Sequence, residues 1–408
     1  MRRRLRIISE LYYPEETSTG YFVTGIAEGL ARKTNLEVSV ICAQPTYSRR
    51  GTRAPKDETR AGVRIERLSV PGVDKNKLLG RAWMFSLLTF RFGFRLFRRF
   101  RRGDCVMVLT NPPSLPLLVV AIAGLKGATP LLLMHDVYPD VLVPTGLTRK
   151  GSLIYRSLGA LQRWMLHRMA RVIVLGRDMQ ERVGSKLRSG QPAPVIIPNW
   201  GDVESITPSA RKSNPLRGRL GLTNQFVVQF SGNLGRTHGL DDLVTLAENC
   251  RKRNDVTFLV FGWGAGRPWL EEQIKQRSLG NVYLLEPCER EELDVYLTTC
   301  DLFLLPMKAG MEGISVPSRL YNVLAAGSPI LGVCGKKSEL ARVVVEENVG
   351  WVVPPGEPDA LAAALEMAMA DPEALEAMGR RARAAAESQY NRDTVIAQFG
   401  SLLSQLPK

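Results

Sequence analysis

Residues 205–233 read SITPSARKSNPLRGRLGLTNQFVVQFSGN, and this stretch decides how the chain is built. Its first part, 205–225, is polar, rich in Pro and Gly and without hydrophobic periodicity, which marks a linker. FVVQFSGN then sets an apolar run of strand formers directly before a glycine turn, the pattern of a parallel strand buried on both faces. A strand of that kind straight after a linker means that a second α/β domain starts here.

The same rhythm runs outward in both directions. Upstream lie LRIIS, a helix over 20–33, EVSVICA, a basic helical stretch, CVMVLT, another helix and PLLLMHD. The long segment GSLIYRSLGALQRWMLHRM, then RVIVLG, a short helix and PVIIPNWGD complete that half. Downstream come a helix from Leu240, VTFLVFGWG, a helix from Arg267, NVYLLEP, CDLFLLPM, PILGVC and GWVVPPG. Alternating strands and helices predict an α/β chain with two Rossmann-like, doubly wound domains. A length of 408 residues, beyond what one core supports, agrees. The expected division is 1–205 and 222–385, with a helix over 386–408 crossing back to the first domain.

The 55 Lys and Arg against 40 Asp and Glu leave a net charge of +15, which calls for an anionic partner: nucleic acid, acidic lipid or a phosphorylated small molecule. No RNP, KH or helix-turn-helix signature accompanies the charge, so no nucleic acid is expected. The apolar run LPLLVVAIAGL is well short of the roughly 18–20 residues that span a bilayer. RRRLRIISELYYP passes from basic residues into a strand without an apolar leader, and a cytoplasmic location is expected. The six cysteines are scattered without a Cys-x-x-Cys pair and read as reduced core residues, so neither a disulfide frame nor a metal site is expected.

Ligands of open parallel sheets bind beyond the carboxyl ends of strands, which singles out three loops. After LRIIS, Thr19 and Gly20 stand at a helix start that favours an anion; the alternative is that Thr19 only caps the helix. In SGNLGRTHGLDDL, Gly232 lets backbone approach a ligand while Arg236 and His238 add positive charge. In MEGISVPSRLYNVLAAGSP, Glu312 offers a carboxylate to sugar hydroxyls, Ser318 and the turn amides can hold a diphosphate, and Arg319 can balance its charge. The competing reading makes Glu312 a solvated loop acid and Arg319 a surface residue.

VFGWGAGRPWLEEQ, NVYLLEP, CDLFLLPMKAGMEGISVPSRLYNVLAAGSPILGV and SELARVVVEENVGWVVPPGEPDAL resemble the nucleotide-sugar domain of glycosyltransferase family 4. YYPEETSTGYF, HDVYPD and VIIPNWGDVE resemble its acceptor-side domain, with the closest flavour in enzymes of bacterial colanic acid, O-antigen and exopolysaccharide synthesis. The resemblance implies a GT-B fold, two Rossmann-like domains facing across a cleft, and a hexosyltransferase that retains configuration and needs no metal. It implies no cofactor beyond a nucleotide-sugar donor, expected to be a UDP-sugar. Glu312, Gly313 and Pro317 match the family's motif of two glutamates, whose second glutamate is absent here; Asn322 stands nearest that role. Asn233 and His238 occupy positions where many members carry Arg and Lys. The resemblance adds Gly262, Arg267, Ile314, Ser315 and Val316 to the donor-binding set, and His135 and Asp136, closing LLLMHD, to the catalytic set with Glu312.

Residues 77–104, KLLGRAWMFSLLTFRFGFRLFRRFRRGD, carry seven arginines from Arg81 to Arg102 and no acid before the final Asp. Interleaved Phe and Leu suit a basic amphipathic helix on anionic lipid; the alternative is a cationic helix whose apolar stripe packs on the sheet. The expected partners are therefore a nucleotide-sugar donor, a polyprenyl-diphosphate-linked saccharide acceptor and the inner face of the cytoplasmic membrane, which the protein touches peripherally. A nucleotide-sugar 2-epimerase of the same fold is the rival enzyme reading, and a nucleic-acid binder the rival of another class.

Overall fold

The structure, a computed structural model, describes residues 3–45, 53–69, 78–209, 211–288 and 290–406. It forms two compact units. The first comprises Met1–Asp140, Thr148–Pro198 and Asp393–Lys408; the second comprises Val141–Leu147 and Asn199–Arg392.

In the first unit the elements run β1 (Arg3–Ile8), α1 (Ser18–Lys33), β2 (Leu36–Ala43), β3 (Asp57–Arg60), β4 (Val63–Leu68), α2 (Leu78–Arg99) and β5 (Cys105–Leu109). α3 (Leu115–Lys126), β6 (Thr129–Met134), α4 (Leu153–Leu166), β7 (Arg171–Val174), α5 (Arg177–Gly184) and β8 (Val195–Ile196) follow. The sheet order is β3-β4-β2-β1-β5-β6-β7-β8, parallel except for β3 against β4. β5 is buried throughout and β6 over its last four residues, and both read as apolar runs, the mark of strands covered on both faces, whereas in β1 the three arginines Arg3, Arg4 and Arg6 are half-buried.

The second unit runs α6 (Pro215–Leu220), β9 (Phe226–Ser231), α7 (Leu240–Asn249), β10 (Val256–Phe261), α8 (Arg267–Gln276), β11 (Val282–Leu285) and α9 (Leu293–Leu297). It continues with β12 (Leu302–Pro306), α10 (Arg319–Ala325), β13 (Ile330–Val333), α11 (Glu339–Glu346), β14 (Gly350–Val353), α12 (Pro358–Ala370) and α13 (Pro372–Ser388). Its all-parallel sheet is ordered β11-β10-β9-β12-β13-β14. One core lies between β9, β10, β12 and β13 and the apolar faces of α7, α8 and α12. α14 (Arg392–Ser404) then enters the first unit.

Three readings of the sequence change. The stretch 205–225 is not a free linker. Asn214 caps α6, accepting from Leu216 N and Arg217 N at 2.9 and 3.3 Å, and its amide donates to Val295 O at 2.8 Å. Arg217 is buried and forks onto Asp301 at 3.1 and 2.9 Å, and Asp301 also accepts from Val227 N, which bolts the segment to β9 and β12. The chain leaves the first unit at Pro198 and not at 205, and α14 starts at Arg392 and not at 386. The third change is at α2, where the packing alternative holds for one face of the helix. Leu88, Phe92 and Leu96 are buried on one face, while Phe90, Phe94 and Phe97 on the other are 72%, 59% and 50% exposed. Part of the helix's charge is also used internally, since Arg95 and Arg99 pair with the buried Glu66 of β4. Lys77 and the side chains of residues 78–85, Arg81 among them, lie outside the described residues.

Candidate active site

In each sheet the strand order reverses beside the first strand, between β1 and β5 and between β9 and β12. Loops leaving those strands diverge and open a crevice at their carboxyl ends. The residues proposed from sequence divide between these two places.

At the second switch point the loops after β9 and β12 are tied together. Lys308 N donates to Thr237 O at 2.9 Å and Gly239 N to Pro306 O at 3.2 Å. The β9 loop needs its glycines. A Cβ at Gly262, beyond β10, would fall 1.9 Å from Gly232 O, and one at Gly264 would fall 2.5 Å from both Asn233 Oδ1 and Leu234 O. Gly232 itself leaves space toward Arg319, whose Nε would stand 3.9 Å from any Cβ placed there. His238 closes the other side, edge-on to Phe230 with 5.7 Å between ring centroids. Its Nδ1 is buried without a hydrogen-bond partner. Burial, helped by the charge of Arg319, pushes the imidazole pKa down to about 4, so it is neutral at physiological pH. Gly232, His238 and Arg319 thus make a backbone cradle, a neutral unpaired nitrogen and a guanidinium in one place, a combination that fits a diphosphate.

Glu312 sits on the β12 loop behind Gly313, whose φ of 71° demands glycine. Its carboxylate leans across Gly335, where a Cβ would lie 2.4 Å from Glu312 Oε2. A pocket of ≈ 120 Å³ opens beside it, lined among others by Lys308, Ser315, Pro317, Gly335, Ser338 and Glu339. Two carboxylates and small polar groups around a recess suit a hydroxyl-rich ligand.

Other expected donor residues stand differently. Arg267 is committed to structure: its guanidinium donates to Gly262 O (2.9 Å), Leu285 O (3.3 Å), Glu271 (2.9 Å) and Glu286 (3.0 Å) and stacks on Trp263. It staples the ends of β10 and β11. Ile314 and Val316 bury their side chains, so only their backbone can face one. Asn322 Oδ1, nearest the place of the absent second glutamate, accepts from Asp202 N at 3.1 Å, a tie within the second unit. Ser318 is the N-cap of α10 with no capping side-chain bond. Asn233 and Arg236 are exposed at the loop tip.

In the first unit, α1 is capped by Thr17, whose hydroxyl accepts from Gly20 N at 3.2 Å, and not by Thr19. Gly20 packs so tightly that a Cβ would meet Glu15 O at 2.5 Å, a structural reason for glycine. At the end of β6 the backbone N–H groups of His135 and Asp136 both donate to Thr110 Oγ1, at 3.3 and 3.4 Å. His135 Nε2 is buried and unpartnered. Burial lowers the His135 pKa to about 4 and raises that of Asp136 to about 6. A neutral imidazole beside a readily protonated carboxyl can receive a hydroxyl group without charge repulsion. Sequence reasoning missed Thr110, Gly335, Ser338 and Glu339. The signal for the last three was available, since CGKKSE follows strand PILGVC as SGN follows FVVQF.

Two parallel-sheet α/β units of this order are the two-domain GT-B fold of glycosyltransferases. Residues 214–385 match the family model for glycosyl transferases group 1, and residues 19–200 match that for the glycosyl transferase 4-like domain. The chain thus joins a glycosyl transferase 4-like domain to a glycosyl transferases group 1 domain. The probable glycosyltransferase WbjE of Pseudomonas aeruginosa is 29% identical, covering 99% of this chain and 98% of its own. The putative colanic acid biosynthesis glycosyl transferase WcaI of Escherichia coli is 27% identical, covering 95% of this chain and 96% of its own. Among solved structures, HepE of Anabaena, bound to UDP and glucose, superposes with a TM-score of 0.73 at 16% identity, covering 99% of this chain and all (100%) of the other.

Proposed function

We propose that the chain transfers a sugar from a nucleoside diphosphate, a UDP-sugar in the first instance, to a lipid-linked saccharide during bacterial surface polysaccharide assembly. The observation that carries this reading is the second switch point, where Gly232, His238 and Arg319 provide a diphosphate cradle and Glu312 stands at a polar recess. A departing diphosphate needs charge stabilisation that is already oriented, and Arg319 with the loop amides supplies it. Glu312 accepts hydrogen bonds from the hexose. His135 and Asp136 of the first unit hold the acceptor hydroxyl, and the sugar keeps its anomeric configuration. Naming of WcaI for colanic acid biosynthesis and UDP binding by HepE agree with this assignment.

The acceptor's lipid places the reaction at the cytoplasmic face of the membrane. Phe90, Phe94 and Phe97 project from α2, with Arg98 over Phe94 at 5.0 Å and Lys126 over Phe97 at 3.8 Å, an apolar and cationic surface suited to anionic lipid. The proposed contact is peripheral; no helix among the described residues is long and apolar enough to cross a membrane.

The test is a panel of UDP- and GDP-sugars scored by the rise in melting temperature, since a ligand that binds only the folded state must raise it. One nucleotide series is expected to raise it at concentrations near its Kd. A flat response across the whole panel overturns the proposal, and conversion of a lone donor to its 2-epimer would replace it with the epimerase reading.

A further inference from the structure

α4 is amphipathic in an unusual sense. Only a narrow strip, with Gln162, Met165 and Leu166 at its centre, is buried, while Leu153 and Ile154 are 80% and 66% exposed and Leu158, Leu161 and Trp164 are 38–42% exposed. These five side chains share one side of the helix. Arg168 lies over the Trp164 ring at 4.5 Å. α3 packs between α2 and α4, so this apolar side belongs to the same helical layer as the exposed phenylalanines of α2.

Along the other side of α4, where Gly159 leaves space, a pocket of ≈ 620 Å³ runs down to Asp140. Asp140 is buried and is bonded by Lys186 and, at 3.1 Å, by Arg182, while Lys186 also donates to Gln162 at 3.0 Å. Arg156 and Arg163, both exposed, stand on its wall and form no ion pair with any described acid. Three cations, Arg156, Arg163 and Lys186, therefore line the pocket with one carboxylate, Asp140. Burial lowers the Lys186 pKa, Asp140 opposes that shift, and the charges of Arg182 and Arg163 add to it, as expected where cations are crowded.

We propose that this pocket binds the phosphate head of the lipid-linked acceptor while the bare side of α4 takes the adjoining hydrocarbon. A surplus of positive charge calls for an oxyanion, and the neighbouring apolar strip calls for a chain attached to it. A recessed floor distinguishes this place from the α2 surface. Bulk headgroups are met by exposed cations, whereas Gln162 and Lys186 lie below the surface, 7% exposed and with an 18% exposed side chain respectively. The inference rests on the proposed lipid-linked acceptor but not on the identity of the donor.

The probe is a polyprenyl phosphate in neutral detergent micelles, compared with the uncharged polyprenyl alcohol and with phosphatidylglycerol vesicles, and nucleotide-induced stabilisation serves as the check of folding. The phosphate is expected to bind at least tenfold more tightly than the alcohol. Arg156→Ala combined with Arg163→Ala should weaken phosphate binding at least tenfold. Phe90→Ser with Phe94→Ser should reduce vesicle binding and leave micellar binding intact. Equal affinity for alcohol and phosphate, or an unchanged Arg156/Arg163 double variant, overturns the proposal. So does a double variant that loses vesicle and micellar binding in equal measure, because the site is then general lipid surface. Failure of every nucleotide sugar to stabilise the chain removes the donor reading alone, since the lipid-phosphate arm is read without donor.

Discussion

Glu312→Gln preserves the size of a side chain that crosses Gly335 and removes only its charge. If the carboxylate supports the sugar as charge develops on it, donor turnover should fall by about 10²–10³-fold, the range seen when one oriented electrostatic partner is lost. The nucleotide's effect on melting temperature should persist, because Arg319 and the Gly232 loop are untouched. Acid sensitivity is a second matter of single residues. His238 has its pKa pushed down to about 4, below the ~6.5 of a free imidazole, so the unfolded chain takes up that proton first as pH falls. Its contribution to stability is complete above pH ~6.5 and is lost as pH falls toward 4. His135 has the same sign, but its neighbour Asp136, raised to about 6, has the opposite one: its contribution is present below ~3.9 and lost as pH rises through 6. The two offset within the first unit, leaving His238 as the net acid liability of the three. Urea midpoints between pH 4.5 and 7 should therefore fall with acid, and His238→Gln should flatten the dependence. Glu312 and His238 stand out in the sequence because each lies in a loop after a strand, and Arg319 because it opens the helix that follows such a loop. The structural bonds of Arg267 were not legible, since two of its acceptors, Leu285 and Glu286, stand 18 and 19 positions away at the end of another strand.

Among elements, legibility followed burial. Strands such as CVMVL and VTFLVF are covered on both faces and announce themselves as apolar runs. β3 and β4 form an antiparallel hairpin at the sheet edge, where DETR alternates exposed and half-buried positions and VRIERL carries three charges, so the pair passed unread between EVSVICA and CVMVLT. α6 stayed hidden because its stability comes from Asp301, 84 positions away from Arg217. Arg217→Ala would leave Asp301 partly unpaired at the start of β12, and a loss of about 3 kcal/mol in urea denaturation is expected. The meeting of the β9 and β10 loops is stricter still. Gly262→Ala sets a methyl 1.9 Å from Gly232 O, which forces the cradle apart. Loss of nucleotide-induced stabilisation should accompany a drop in stability of about 3 kcal/mol. A variant with Gly262→Ala that still binds nucleotide would show that the cradle is not at this strand end.

The whole molecule carries one long-range dependence that a reading in chain order cannot weigh, because the last helix completes the first unit. α14 buries Val395, Ile396, Phe399, Leu402 and Leu403 there. Ile396 lies against Gly29 of α1, where even one added carbon would be 2.8 Å from it, and Arg3 of β1 donates to Leu403 O at 2.8 Å and Leu406 O at 3.1 Å. The Lys33–Asp393 ion pair is exposed on both sides and adds little. Five large side chains at about 1.5–3 kcal/mol each come to roughly 10 kcal/mol of gross burial. That is comparable to the entire stability of a typical domain, about 5–15 kcal/mol. A chain ending at Asn391 should therefore lose amide hydrogen-exchange protection throughout β1, β2 and α1. The second unit keeps its own core and its Gly232–Arg319 cradle, so a UDP-sugar that stabilises the full chain should still raise its melting transition. Retained protection in β1 would show that the first unit stands without α14, and the burial argument would then be wrong in size.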